Sequence, residues 1–168
     1  MKHIYTQTIG EQIVSLISTN FKTSLGLKII QYGDLAFYTA SDLSDLAADC
    51  PAVLVKSKAF TIARGSIGSL VFDGGYHIVY IHRIADEPGD KEDALFSIAE
   101  YFLNPANTNG DTPLSIADIS DMSFRSVLVT DIDSEPEEDG LLDAYEMPLT
   151  AASFDLSVIY QCKHGGGA

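Results

Sequence analysis

The chain has no tryptophan, two cysteines and only 10 lysines and arginines in 168 residues. Each scarcity excludes something. Cys50 and Cys162 lie far apart and outside any CxxC or CxH spacing, which excludes a zinc ribbon or a redox motif. They are expected to be unpaired, buried thiols in a reducing compartment. Ten bases against 24 acids leave a net charge of −14, a field that repels phosphate backbones and anionic membrane surfaces. No apolar run approaches the roughly 18–20 residues needed to span a bilayer. Met1–Gln7 holds no apolar core segment and no cleavage site, so no signal peptide is expected.

The charge is unevenly placed. Residues 1–83 carry six acids and seven bases, whereas residues 84–162 carry eighteen acids and only Lys91 and Arg125. The two halves therefore offer unlike surfaces. The densest acidic stretch runs from Asp131 to Gly140. A calcium loop of the EF-hand type needs glycine at its sixth position and glutamate at its twelfth. Counted from Asp131, those positions hold Pro136 and Leu142, so the stretch reads as a solvated strand connection. Its crowded acids, Asp133, Glu135, Glu137, Glu138 and Asp139, make it a candidate docking surface for a basic partner, mobile until bound.

Other chemistry is thinly represented. His77 and His82, five apart on one strand, point to opposite faces and cannot share a metal. Gly65–Gly68 lacks the GxxxxGK[ST] pattern and reads as a glycine-softened strand start rather than a phosphate cradle. No Ser–His or Cys–His arrangement supports a triad. With 24 acids, chance carboxylate pairs are expected and carry no signal. No metal or cofactor is expected, and the chain reads as a non-enzyme.

Periodicity outlines one α+β domain over residues 1–162, with 163–168 as a flexible tail. Ile9, Ile13, Leu16, Ile17 and Phe21 form the apolar face of a helix over Thr8–Phe21, and Thr8 with Glu11 has capping-box spacing. Leu27–Tyr32 is strand-like, and Ser41–Leu46 suits a short helix. Ala52–Phe60 opens as a continuous apolar run, the mark of a strand buried on both faces and a candidate for the sheet centre. Ser66–Phe72 and Tyr76–Ile84 flank Asp73-Gly74-Gly75, which reads as a hairpin turn. Phe72 and Tyr76, beside that turn, are interface candidates. Lys91–Leu103 is a second helix with the stripe Ala94, Leu95, Ile98, Ala99 and Phe102, N-capped by Asp90 and ended at Asn104-Pro105. Met122–Ile132 and Thr150–Cys162 are strands. The expected fold is a mostly antiparallel sheet of about five or six strands with two main helices packed on one face.

This order resembles the tail terminators of tailed bacteriophages, the lambda-type tail-completion family. The resemblance runs over residues 4–162: amphipathic helix, Pro51–Val55 strand, hairpin ending in Tyr76–Ile81, turn with Pro88, helix Lys91–Leu103, strand Phe124–Thr130, acidic loop and final strand Phe154–Tyr160. It is a resemblance of layout, since the family has no catalytic signature. Gly26–Asp49 and Asn104–Asp121 are longer than the minimal form. The resemblance implies a cofactor-free structural virion protein of the tail–neck region, made in the host cytoplasm. It implies a homo-oligomeric ring of six copies that caps the tail tube, stops its polymerisation and receives the head–neck connector or stopper protein. DNA would pass through the lumen without specific binding, and no membrane is involved. A ring needs head-to-tail contact between unlike patches, which the charge split supplies, and exposed strand edges could continue a neighbour's sheet. Two alternatives stand beside it: another neck, head-completion or tube-associated component, and a small acidic hydrolase or ligand-binding module.

Overall fold

The structure, a computed structural model, describes residues 2–33, 43–64, 69–84, 91–103, 122–136, 142 and 148–163. Its elements follow as α1 (Lys2–Phe21), β1 (Ile29–Tyr32), α2 (Leu43–Ala48), β2 (Ala52–Arg64), β3 (Ser69–Arg83), α3 (Lys91–Leu103), β4 (Met122–Asp133) and β5 (Leu149–Lys163). Among the described residues the strands form one five-stranded sheet in the order β1-β2-β3-β5-β4. Only the β1–β2 junction is parallel; the other three are antiparallel. The α+β class and the mostly antiparallel sheet match the sequence expectation.

Alternation along the strands sorts their side chains onto two faces. On one face Val53, Val55, Tyr76, Ile78, Tyr80, Phe154, Leu156 and Val158 meet Ile9, Ile13 and Ile17 of α1. Against the same cluster lies the α3 stripe Ala94, Leu95, Ile98, Ala99 and Phe102, all five buried as its spacing predicts. Both long helices thus cover one face. At Gly10, α1 approaches β1 so closely that a Cβ would stand 2.1 Å from the Tyr32 ring. The other face carries a smaller second core that sequence reading did not foresee. Leu46 of α2, Cys50, Leu142 and Leu149 close over Ala52, Leu54, Val79, Ile81 and Ala151. This explains why Ala52–Val55 is an unbroken apolar run: each of its four residues is buried, two on either side.

Three sequence expectations are corrected. Asp73-Gly74-Gly75 is no turn; β3 runs straight through it, with Gly74 opposite both Phe60 and Val158. The glycines serve packing instead. A Cβ on Gly74 would meet the Phe60 ring at 3.0 Å and one on Gly75 would meet Lys58 Cβ at 3.3 Å, beside the register shift in β2 between Ser57 and Phe60. The central strand is β3, not β2. Helix α1 begins at Lys2, so Thr8 sits inside the helix rather than at its cap; Gln7 donates from Nε2 to Glu11 Oε1 at 2.8 Å, one turn on. The Gly65–Gly68 stretch, the Asp90 cap, Asn104-Pro105 and the tail after Lys163 lie outside the described residues.

Among the described residues the sheet is longer than its helical cover. Fifteen-residue β3 and β5 extend about 50 Å at ~3.3 Å per residue, while a compact domain of this length is only roughly 40 Å across. Burial falls accordingly: Tyr76–His82 are buried or nearly so, whereas Phe60, Leu70, Val71 and Phe72 are half-buried and Ile62 is exposed.

Tyr80, 6% exposed, packs its ring 5.7 Å from that of His82. Burial first, and Cys50 second, hold its hydroxyl above the ordinary value of 10.0. The folded state keeps this proton after the unfolded chain has lost it, so the contribution of Tyr80 is complete below about pH 10 and declines as pH rises further. Urea midpoints measured from neutral pH to about 11 should therefore fall less steeply at the alkaline end for Tyr80→Phe than for the wild type. Parallel curves would contradict the assignment.

Candidate functional site

Two features of the surface are candidates for function: a charged cleft on the face away from α1 and α3, and a set of exposed apolar residues on β2, β4 and α3.

The cleft is built on a row of cross-strand neighbours. Lys56 of β2 pairs with His77 of β3, His77 with Asp155 of β5, and Asp155 with Thr130 of β4. Strand alternation puts all four side chains on the face away from α1 and α3. Asp155, 8% exposed, is the hub. Its Oδ1 lies 2.6 Å from His77 Nδ1 and its Oδ2 accepts from Lys58 Nζ at 2.6 Å. Lys56, Lys58, His77, Asp131, Asp133, Pro136, Ser153 and Asp155 enclose an open cleft of about 300 Å³. A neighbouring hollow of about 260 Å³ adds Thr61, Asp73, Gly75 and Ser157, where Ser157 Oγ donates to Asp73 Oδ1 at 2.8 Å.

The acids of β4 reach this cleft through an irregularity. The β4–β5 register shifts between Thr130 and Asp133, and Asp131 adopts φ 50°. One extra residue is thereby absorbed, which keeps Asp133, like Thr130, on the face away from α1 and α3. Aspartate is among the few side chains that tolerate this left-handed geometry.

Chemically, an imidazole held by a carboxylate is the core of a general base. Here the same carboxylate is shared with an ammonium. Lys58 is half exposed, so its pairing with Asp155 contributes at the small end of the ion-pair range. The cleft fixes charge positions across β2, β3 and β5. Among the described residues no group of His, Cys, Asp and Glu is placed to hold a metal ion.

The sequence candidates fall in three places. Tyr76 is fully buried in the main core, so its side chain cannot offer a surface. Phe72, half-buried, packs at the margin of that core. Asp133 and Glu135 are exposed, and Asp133 Oδ1 accepts from the Glu135 backbone N–H at 2.8 Å. Glu137, Glu138 and Asp139 lie outside the described residues. The structure unites Asp133 with the cleft but not with Phe72 or Tyr76. The cleft itself escaped sequence reading, because His77 and Asp155 are 78 residues apart and only the β3–β5 register joins them.

The apolar set is distinctive in its location. The exposed large hydrophobics among the described residues are Ile62, Ile84, Phe96, Leu103, Leu128 and Ile132. Ile62 lies on β2 near one side of the sheet, and Leu128 and Ile132 on β4 at the other. Phe96 and Leu103 line an apolar groove of about 410 Å³ between α3 and β4, together with Ala99, Glu100, Val129 and Ile132.

Cys50 is buried and in no disulfide, as expected. Among the described residues no helix is long and apolar enough to cross a membrane. No protein-family model and no curated protein matches the chain.

Proposed function

We propose that the chain is a structural subunit that closes into a ring, the tail terminator that caps a bacteriophage tail tube and receives the neck. The observation that carries this reading is the sheet itself. Among the described residues it outruns its helical cover and leaves large apolar residues exposed on β2 toward one side and on β4 and the neighbouring α3 toward the other. A protomer with unlike neighbours on left and right would bury these side chains in its contacts. The layout resemblance to tail terminators supplies the kind of ring, and the expected six copies, tube and neck partners follow from that resemblance. The cleft walls carry Asp73, Asp131, Asp133 and Asp155 against Lys56 and Lys58. Such a face offers phosphates no net attraction, which suits a passage that DNA must traverse without sticking.

Light scattering on the purified protein, and electron microscopy after mixing with tail tubes, test the proposal. Rings, or tubes capped at one end, are the expected result. A protein that stays monomeric and leaves tubes uncapped overturns it. Replacing Glu135, Glu137, Glu138 and Asp139 by serine should leave the melting temperature within about 2 °C, since a crowded run of like charges contributes little to stability. Capping should weaken if this loop meets a basic partner; unchanged capping retires that role.

The His77–Asp155 pair favours a second reading, a ligand-binding or hydrolytic module. Under it His77→Ala abolishes turnover or binding of a small polar ligand. Under the ring reading the same change leaves capping intact.

A further inference from the structure

Among the described residues, two stretches of main chain have no strand on their outer side. One is Ser57–Arg64 of β2, because β1 reaches only Ala52–Val55. The other is β4, the last strand of the sheet. We propose that these two edges pair between copies, β4 of one protomer against the Ser57–Arg64 edge of the next, so that one sheet runs unbroken around the ring. This rests on the ring reading and names the surfaces that would close it.

Direction agrees, and charges of opposite sign stand at neighbouring heights. Three consecutive antiparallel junctions make β4 antiparallel to β2 within one sheet. Rotation about an axis along the strands preserves both directions, so the intermolecular junction is antiparallel as well. The same rotation keeps height. Lys56 stands level with Thr130 through His77 and Asp155, and Arg64 stands level with Met122 through Leu70 and Cys162. Asp133, opposite Ser153, stands level with Leu54 through Val79, so Asp131 and Asp133 lie within two residues of the height of Lys56, while Lys58 stands near the height of Leu128. From Lys56 to Arg64 there are three bases and no acid; from Val129 to Asp133 there are two acids and no base. Ile62 and Leu128, exposed on the two edges, supply apolar area to either side of the joint. Paired main chains would give affinity, and these side chains would give choice of partner. Six five-stranded sheets joined this way enclose a passage roughly 45 Å across at ~4.8 Å per strand.

Main-chain polarity makes the idea testable. Gly33 N donates to the Val55 carbonyl at 2.7 Å and Lys28 N to the Pro51 carbonyl at 2.9 Å. Odd-numbered residues at the start of β2 thus turn their polar groups away from β3. The one-residue register shift between Ser57 and Phe60 transfers that role to Phe60, Ile62 and Arg64. Ile62→Pro removes an N–H that faces the edge and no β2–β3 hydrogen bond, a position where strands tolerate proline. Ile62→Thr keeps the N–H.

By light scattering and tube capping, Ile62→Pro should assemble at least tenfold more weakly than Ile62→Thr, while its circular dichroism stays that of the wild type. A charge pair gives a second arm that does not depend on how proline is accommodated. Lys56→Glu alone and Asp133→Lys alone should each fail to form rings, because each puts like charges across every joint. Mixed in equal amounts they should form rings, since alternation restores opposite charges at all joints; contacts within one protomer would not be rescued by mixing. If Ile62→Pro assembles like the wild type, or if mixing restores nothing, the edge pairing is wrong and the ring must close elsewhere. A wild type that forms no ring in solution or on tubes overturns the ring reading and this inference with it.

Discussion

Val55→Asp yields no folded protein at 25 °C. Val55 lies in the middle of β2 opposite Ile78, has no solvent exposure, and faces the cluster of α1, α3, β3 and β5. A carboxylate there loses its hydration and gains no partner, a cost of several kcal/mol for an unpaired buried ion. The lost valine packing adds about 1–3 kcal/mol. Domains of this kind are stable by only about 5–15 kcal/mol, so the sum takes much or all of that margin. Val55→Ala, which loses only the packing, should remain folded with a lower urea midpoint. Far-ultraviolet circular dichroism separates the two. A Val55→Asp protein with native dichroism and a cooperative transition would show that the described core is not the folding core.

That core was largely legible in the sequence, and the reason is periodicity. The α3 stripe repeats at three and four residues, and all five of its members are buried. The Ala52–Val55 run announces a strand covered on both sides, which α1 and α3 provide on one face and α2 on the other. What misled was local chemistry read without its surroundings. Asp73-Gly74-Gly75 has the composition of a turn, yet its glycines admit the Phe60 ring and the Lys58 side chain from the shifted strand next door. That neighbour is set by tertiary register, which a single window does not contain. The cleft was invisible for the same reason. His77, Lys58 and Asp155 carry no spacing motif, and they meet only once β2, β3 and β5 are aligned. The acidic stretch was legible as charge, and its first members do line the cleft.

Tyr76→Ala separates core from interface at a residue that sequence position alone placed beside a turn. The structure puts its side chain at zero exposure, opposite Ser57 and Leu156. Truncation removes a ring from a closed core, and aromatic-to-alanine changes of this kind cost about 3–5 kcal/mol. For a domain of this length that corresponds to a fall in melting temperature of roughly 6–20 °C. An interface residue behaves otherwise: its truncation leaves the protomer's melting unchanged and weakens only assembly. Calorimetry on the variant at a concentration where the wild type is monomeric isolates the first effect. A large drop in melting there, with the remaining folded protein still assembling, places Tyr76 in the core. Unchanged melting with lost assembly would return it to the surface. Because Tyr76 sits where the helix-covered sheet gives way to its half-buried extension, that second result would also mean that the two are packed differently from the arrangement described, and the edge at Ser57–Arg64 would move with it.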